Sequence, residues 1–472
     1  MNDEDYFDSQ EFQELLEQYE SSVSQGGVVY MDADDLADIA DYYHYNGRYD
    51  EAHTAIDKAV AIHPDAVGPL LYKAREAISA GDFEKARDYS NRLEVQDHIE
   101  NLYLRAEILI NEEHYDEAEE LLHDYYMKEL MPDEHEDYIF DVANLYSDYG
   151  LYDRSLEWMS RSRGDDSDDF KELMARTLFG LGKYRDSERL FNELIDSNPF
   201  SKNYWNALAS AQFMSEDYGA SVTSSEFAIA IDPEDPESIL SKANGLYRLD
   251  NFEEALRYFE RYSEKCDYDE FGYLHQGTCL INLNRYDDAI VRLEKALEVS
   301  PPDSQYLCDI YQELAFAYNE QQMPETALYY IDQTDGLDCD HVDMKVIKGH
   351  ILLSNQRLRD AGEVFNEALK ESMNAPKTML RIMVSLYDNR YVGSAYNMFK
   401  KFFNLVDDDF LEGYSYMALC CWDLQNYDEF LYYLKKALSV NKKEARMVLG
   451  HLFPSNVEPD DYLEYMINRL KR

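Results

Sequence analysis

From Arg285 to Pro301 the chain reads RYDDAIVRLEKALEVSP. Its apolar residues Ala289, Leu293, Ala296 and Leu297 fall on one face of a helix, with Asp288, Arg292, Glu294 and Lys295 elsewhere on the turn. Pro301 follows the last periodic residue, where a helix commonly stops. One such stripe has nothing to bury itself against, and the chain answers by repetition. Aligned on Ala289, a small residue recurs as Ala52, Ala86, Ala118, Ser155, Ser187, Ser221, Ala255, Ala289, Ala327, Ala361 and Ser394, with the bulkier Phe430 last. Three positions earlier stands an aromatic in most units: Tyr49, Phe83, Tyr115, Tyr152, Tyr184, Tyr218, Phe252, Tyr286, Tyr391 and Tyr427, with Pro324 and Leu358 as exceptions. Twelve positions before the small residue comes a second one: Ala40, Ala74, Ala106, Ala143, Ala175, Ala209, Ala243, Gly277, Ala315, Gly349 and Ala418, with Ile382 the outlier.

Two antiparallel helices approach closely only where neither carries bulk at the crossing, so the pattern predicts a small residue on each. The aromatic is expected to fill the space beside the crossing. Gly47, Gly81, Gly150, Gly182, Asn284 and Asn389 are expected to supply the tight turn between helices. The unit resembles the tetratricopeptide repeat, a helix–turn–helix array with a period of about 34 residues. The YDEA at Tyr49–Ala52 and Tyr115–Ala118 and the prolines Pro64, Pro199, Pro233 and Pro301 carry the resemblance, which covers residues 33–440 in about twelve units. It implies an all-α fold, a right-handed α-solenoid of stacked antiparallel helix pairs, in which each unit touches only its neighbours.

The ends complete this plan. Residues 1–32 read as an acidic arm in which Phe12, Leu15, Leu16 and Tyr19 form a short amphipathic helix against the first repeat. Residues 33–440 form the array, lengthened near residues 127–136, 299–305 and 404–409. Residues 441–472 supply capping helices, expected over 444–453 and 460–472, that close the exposed core.

Composition narrows the function. The balance of 44 basic against 96 acidic residues, a net charge of −52, argues against nucleic acid and against an anionic membrane surface, both of which select Lys and Arg. There is no apolar run long enough to span a bilayer and no signal-like start, so the chain reads as cytoplasmic. The six cysteines, all from Cys266 onward and without a CxxC pair, read as free thiols.

Candidate chemistry is sparse. Acidic runs at residues 32–35, 133–137, 165–169, 407–409 and 458–461 each precede an apolar-periodic helix, where carboxylates accept first-turn amides and complement the helix dipole. Asp338, Cys339, Asp340, His341 and Asp343 gather potential ligands for a transition metal, without the further spaced ligands of a structural zinc site. Gly180–Lys183 lacks the rest of a phosphate loop and reads as a turn, and no catalytic triad can be nominated. Tyrosine is unusually abundant at 41 residues, and the adjacent pairs Tyr42–Tyr43, Tyr125–Tyr126, Tyr329–Tyr330 and Tyr432–Tyr433 each direct one ring off the core face.

The resemblance further implies that the first helix of each repeat lines a concave groove along which a peptide lies. Projected onto this chain, the groove-facing candidates are Arg75, Asn144, Arg176, Asn206, Asn244, Tyr247, Arg248, His275, Asn319, His350 and Trp422. The family's carboxylate clamp for chaperone tails is not found in phase. The expectation is a non-enzymatic scaffold, without cofactor, that binds basic protein segments in an acidic, aromatic groove, with self-association through its terminal helices open. The alternative is a metal-dependent enzyme or regulator using the Asp338–Asp343 cluster.

Overall fold

The computed structural model describes residues 7, 9–24, 31–93, 99–164, 166–266, 268–406, 410–454 and 456–470. Among the described residues there are 27 α-helices and two short 3-10 helices, and no strand. The acidic run at 407–409 and the start and end of the chain lie outside them. Neighbouring helices pack in pairs, and the chain divides into two compact units, Met1–Glu216 and Asp217–Arg472.

In the first unit the helix Gln10–Ser24 lays Phe12, Leu16 and Tyr19 against Leu36, Ile39, Ala40 and Tyr43 of Ala33–Tyr45 and against Ala52, Ala55, Ile56 and Ala59 of Tyr49–Ile62. The pairs Val67–Ser79 with Phe83–Leu93, Ile99–Asn111 with Tyr115–Lys128, His135–Asp148 with Tyr152–Met159, and Asp168–Gly180 with Tyr184–Ser197 follow, then Lys202–Met214. In the second unit Tyr218–Ile231 packs on Pro236–Arg248. After it come Phe252–Ser263, the pairs Glu270–Asn282 with Tyr286–Val299, Leu307–Glu320 with Pro324–Asp332, His341–Ser354 with Leu358–Glu371, Pro376–Asp388 with Val392–Phe402, and Tyr414–Asp423 with Tyr427–Val440.

The small residues of both rows are buried as the pattern requires: Ala40, Ala52, Ala74, Ala86, Ala106, Ala118, Ala243, Ala255, Ala315, Ala327 and Ala361 are all fully enclosed. A methyl at Gly277 would run into Leu293, and one at Gly349 into Phe365, so glycine is what lets these two pairs close. At two positions where serine replaces alanine its hydroxyl is bonded internally, whereas the buried Ser221 hydroxyl has no partner among the described residues. Ser187 Oγ donates to the Ala175 carbonyl at 2.8 Å, and Ser155 pairs with Thr177 at 3.1 Å.

Several expectations are corrected. In the pair Pro376–Asp388 with Val392–Phe402 the fully enclosed positions are Met383 and Ala395, one residue beyond Ile382, which is itself buried, and Ser394, which is exposed. The helix starts at Val392, and Tyr391 is its cap residue. The same slip moves the turn. Asn389 has a negative φ, and the left-handed residue is Arg390. Every other such turn residue stands five before its small residue: Gly47, Gly81, Glu113, Gly150, Gly182, Glu216, Asp250, Asn284, Gln322, Gln356 and Gln425. The aromatics that open the second helices differ in burial: Phe83, Tyr115 and Phe252 pack half-buried against the cores, and others stay at the surface. Tyr49 is 56% exposed, and these rings pack edge-on at the turn end, as in His44–Tyr49, Phe179–Tyr184, Tyr247–Phe252 and Trp422–Tyr427.

The acidic runs flank helix starts, but their side chains cap less than expected. Asp32 makes no cap hydrogen bond, and the cap of Asp168–Gly180 is Ser167, whose hydroxyl accepts from Phe170 N. Glu136 accepts from Arg163 N of a neighbouring loop, and Glu458 and Asp460 pair with Arg446 and Lys442. These carboxylates spend their acceptors on basic groups and on other loops.

At the end of the second unit, Lys442–Leu449 starts two residues earlier than expected, and Tyr462–Leu470 follows. Val448, Leu449, Phe453, Tyr462 and Met466 join Phe430 and Leu434 in one core, with the Phe453 and Tyr462 rings stacked at 3.6 Å. These helices cover the last pair, the closure that an array of this kind needs.

Candidate binding surfaces

In the first unit, first helices of successive pairs touch one another as well as their own partners. Between Ala33–Tyr45 and Val67–Ser79 they leave a cavity of 960 Å³. Asp34, Asp38 and Asp41 enter it from one helix at helical spacing, Glu76 and Arg75 from the next, and Glu100 from the start of Ile99–Asn111. Ala37, Val67, Leu71, Tyr72 and Ala80 give it an apolar side, and His44 and His53 stand at its edge. Arg75 is held by Glu107 through Nη2–Oε1 at 3.0 Å and Nε–Oε2 at 3.3 Å, so its charge is matched by a buried carboxylate. Glu76 meets Lys73 at 3.2 Å and His53 at 3.4 Å. Asp34, Asp38, Asp41 and Glu100 give the wall an acidic balance even so.

The remaining nominated residues of this unit lie elsewhere. Asn144 donates to Asp148 at 3.0 Å, and Arg176 reaches the same carboxylate at 3.4 Å, which ties His135–Asp148 to Asp168–Gly180. Arg176 also lines a smaller cavity of 220 Å³ with Ser147, Tyr152, Phe179 and Phe191. Asn206 is only 2% exposed and belongs to the interior.

In the second unit the equivalent face is knitted to itself. His275 stacks on Phe271 at 4.0 Å and meets Tyr247 edge-on at 6.1 Å. Arg248 lies over the Tyr218 ring, with Nη2 2.5 Å from its hydroxyl. Asn319 accepts from Ser354 at 3.0 Å and Asn355 at 2.9 Å, while His350 lies 3.3 Å from both Ser385 and Asn389. Trp422 is covered by the Arg469 guanidinium at 5.3 Å. Asn244 is half-buried on Pro236–Arg248. Burial lowers the pKa of His275 and of His350, and pushes the Glu313 carboxyl up to about 7, helped by Asp309 beside it. The nominated residues therefore do not converge on one site. Some link neighbouring first helices, as Arg75 does with Glu107, Arg176 with Asp148, Asn319 with Ser354 and His350 with Ser385.

The cysteines depart from the free-thiol expectation. Cys308, at the start of Leu307–Glu320, and Cys339, in the loop before His341–Ser354, are joined as a disulfide with Cα atoms 6.1 Å apart. Cys266, Cys279, Cys420 and Cys421 are thiols, and burial pushes Cys279, Cys420 and Cys421 up to about 12. The metal reading of residues 338–343 loses its sulfur ligand to this bond. Asp340 caps its helix by accepting from Val342 N and Asp343 N, and Asp343 pairs with Arg381. Among the described residues no group of three or more His, Cys, Asp or Glu side chains is arranged to hold a metal ion. Nor is any helix among them long and apolar enough to cross a membrane.

The sequence missed the cavity acids. Asp34 stood inside a run read as helix-start charge, and the stripe it forms with Asp38 and Asp41 was the available signal. Among the tyrosine pairs, Tyr329 and Tyr432 do point outward as expected, whereas Tyr125 and Tyr126 are both half-buried against Tyr138.

Models of the tetratricopeptide repeat match residues 37–98 and 173–236, and another matches 272–303. Among solved structures, yeast Tom70 is similar over 93% of this chain and 96% of its own, at 16% identity and a TM-score of 0.44. MamA from Desulfovibrio magneticus RS-1 covers 37% of this chain and 96% of its own at 16% identity and 0.35. A thermophilic repeat protein from Thermus thermophilus covers 40% of this chain and all of its own at 18% identity and 0.32. No curated protein matches the chain in sequence.

Proposed function

The chain is a tetratricopeptide-repeat protein, and we propose that it acts as a non-enzymatic scaffold that holds a basic segment of another protein. The observation that carries this reading is the cavity between Ala33–Tyr45 and Val67–Ser79, where Asp34, Asp38, Asp41, Glu76 and Glu100 surround an apolar side. A Lys- or Arg-bearing segment would place its cations among these carboxylates and its aliphatic stems on Leu71 and Tyr72. Arg75 is already bound to Glu107, so it shapes the wall and does not oppose such a ligand. Arg176, Tyr247, His275 and His350 serve this reading as links between first helices, Asn144, Asn244 and Arg248 are proposed as groove residues, and the interior Asn206 is not.

The charge of −52 predicts fast association that weakens as salt screens it. Titrating a fluorescent lysine-rich peptide into the protein tests the proposal. The triple variant Asp34→Asn, Asp38→Asn, Asp41→Asn should weaken binding by roughly tenfold or more, with affinity falling steeply between low and high salt. An acidic peptide binding equally well, or a salt-independent affinity, overturns it. The setting we propose is the cytoplasm, where Cys308 and Cys339 would be kept reduced; alkylation of thiols in quenched cells should then label both, and their recovery as the disulfide overturns that setting.

A further inference from the structure

On a different part of the first unit lies a cavity of opposite chemistry. It measures 250 Å³ and lies between Phe83–Leu93 and Ile99–Asn111, lined by Arg87, Ser90, Asn91, Asn101, Arg105, Ile108 and Leu109. No carboxylate of the described residues lines it, in a chain with 96 of them. Arg87 is bound to Glu112, whose side chain is mostly buried. Arg105 makes no hydrogen bond or ion pair with the described residues, and neither does the Asn91 side chain. Asn101 is only 7% exposed, yet just one end of its amide is used: Oδ1 accepts from Ser90 Oγ at 2.6 Å. Its two Nδ2 protons have no acceptor among the described residues and stand at the cavity wall. These donors are not sealed in the interior and open onto whatever fills the cavity.

We propose that this cavity binds a phosphate monoester. Every unused group on its wall can donate: the Arg105 guanidinium, the Asn91 amide and the Asn101 amide. A ligand that brings acceptors and negative charge suits this donor set best. A tetrahedral dianion offers acceptors in several directions at once, which suits donors arriving from two helices better than a planar carboxylate does. Ile108 and Leu109 close the cavity on an apolar side, which leaves room for a short organic stem on the phosphate. The overall negative charge opposes capture of free anions at a distance, so affinity is expected in the millimolar range and selectivity is expected from the contacts.

Isothermal titration of the full chain with O-phosphoserine, inorganic phosphate, serine and glutamate separates the possibilities. O-phosphoserine is expected to bind saturably below about 10 mM, and serine and glutamate at least tenfold more weakly. Inorganic phosphate binding as well as O-phosphoserine would assign the site to the phosphate group alone, and weaker binding would assign part of it to the stem. Arg105→Ala, an exposed change that should leave the circular dichroism and melting curve intact, is expected to weaken binding at least tenfold, and Arg105→Lys to recover part of the loss. Absence of saturable binding, equal binding of glutamate, or unchanged affinity in Arg105→Ala overturns the proposal.

Discussion

The turns between helices differ between the two units. In Met1–Glu216 four left-handed turn positions hold glycine, at 47, 81, 150 and 182, beside Glu113 and Glu216. In Asp217–Arg472 the same positions hold Asp250, Asn284, Gln322, Gln356, Arg390 and Gln425, with φ between 58° and 67°. A side chain in this conformation costs about 1–2 kcal/mol relative to the right-handed region, yet the backbone path is the same. The burial of the small–small crossings therefore dictates the hairpin, and the turn residue complies. The first-helix faces differ as well. Those of the first unit open a cavity walled by acids, whereas those of the second bond to one another through Asn319, His350 and their neighbours. A shared repeat thus yields one face that opens on a carboxylate-walled cavity and one closed by polar and aromatic contacts.

The largest test of this contrast removes the one covalent tie. Replacing Cys308 and Cys339 by Ser opens a loop with a sequence separation of 31, which in a chain-entropy account should cost about 3–4 kcal/mol. Urea unfolding followed at Trp422, the tryptophan of the second unit, should shift to lower urea, while signals from Trp158 and Trp205 stay in place. A shift shared by all three would break the picture of two separable units.

Next in size are the crossings. Gly349→Val drives a side chain into Phe365 and should cost about 1–3 kcal/mol, whereas Gly362→Ala, which meets nothing within 4 Å, should not reduce stability. Equal melting temperatures for the two variants would sink the role assigned to small residues.

Acid–base behaviour sharpens the second unit. Burial holds the Glu313 carboxyl near 7 in the folded chain against an ordinary 4.5, so the native state binds the extra proton between these values. Its favourable contribution is present below about 4.5 and is lost as pH rises through 7. Glu313→Gln should therefore gain stability over the parent above pH 7, with no gain near pH 4. His275 and His350 have the opposite sign. Their lowered folded pKa means that stability falls as pH drops below 6.5, as the unfolded chain takes up protons. Chemical denaturation at a series of pH values measures both effects.

The smallest effects belong to the turns. Gln322→Gly should stabilise by about 1 kcal/mol, and Gly150→Ala should destabilise by a similar amount, because both backbones are left-handed and a methyl at Gly150 would meet nothing that offsets the strain. Opposite signs in thermal melts are the expected result. The same sign for both would mean that the turn helps set the path.

Most of the architecture could be read from the chain because two rows of small residues repeat in phase, and a crossing that excludes bulk has few alternatives to Ala, Gly and Ser. The reading slipped by one residue where Tyr391 imitated the aromatic that opens a helix, although Val392 does so and Ala395 fills the crossing. The disulfide could not be read at all. Cys308 and Cys339 sit in unlike local contexts, and only the packing of successive pairs brings them together. The acids of the large cavity escaped for a different reason. Charges at a helix start have an adequate local explanation, which hides the face they share with Asp38 and Asp41 one and two turns later.

Because its turns carry ordinary side chains, the second unit keeps six places at which thermal resilience could be dialled upward one glycine at a time. An engineer, or natural drift, could stiffen that half of the chain without touching the buried crossings. The glycine-rich half has already taken most of that step, and further hardening there would have to come from its helices.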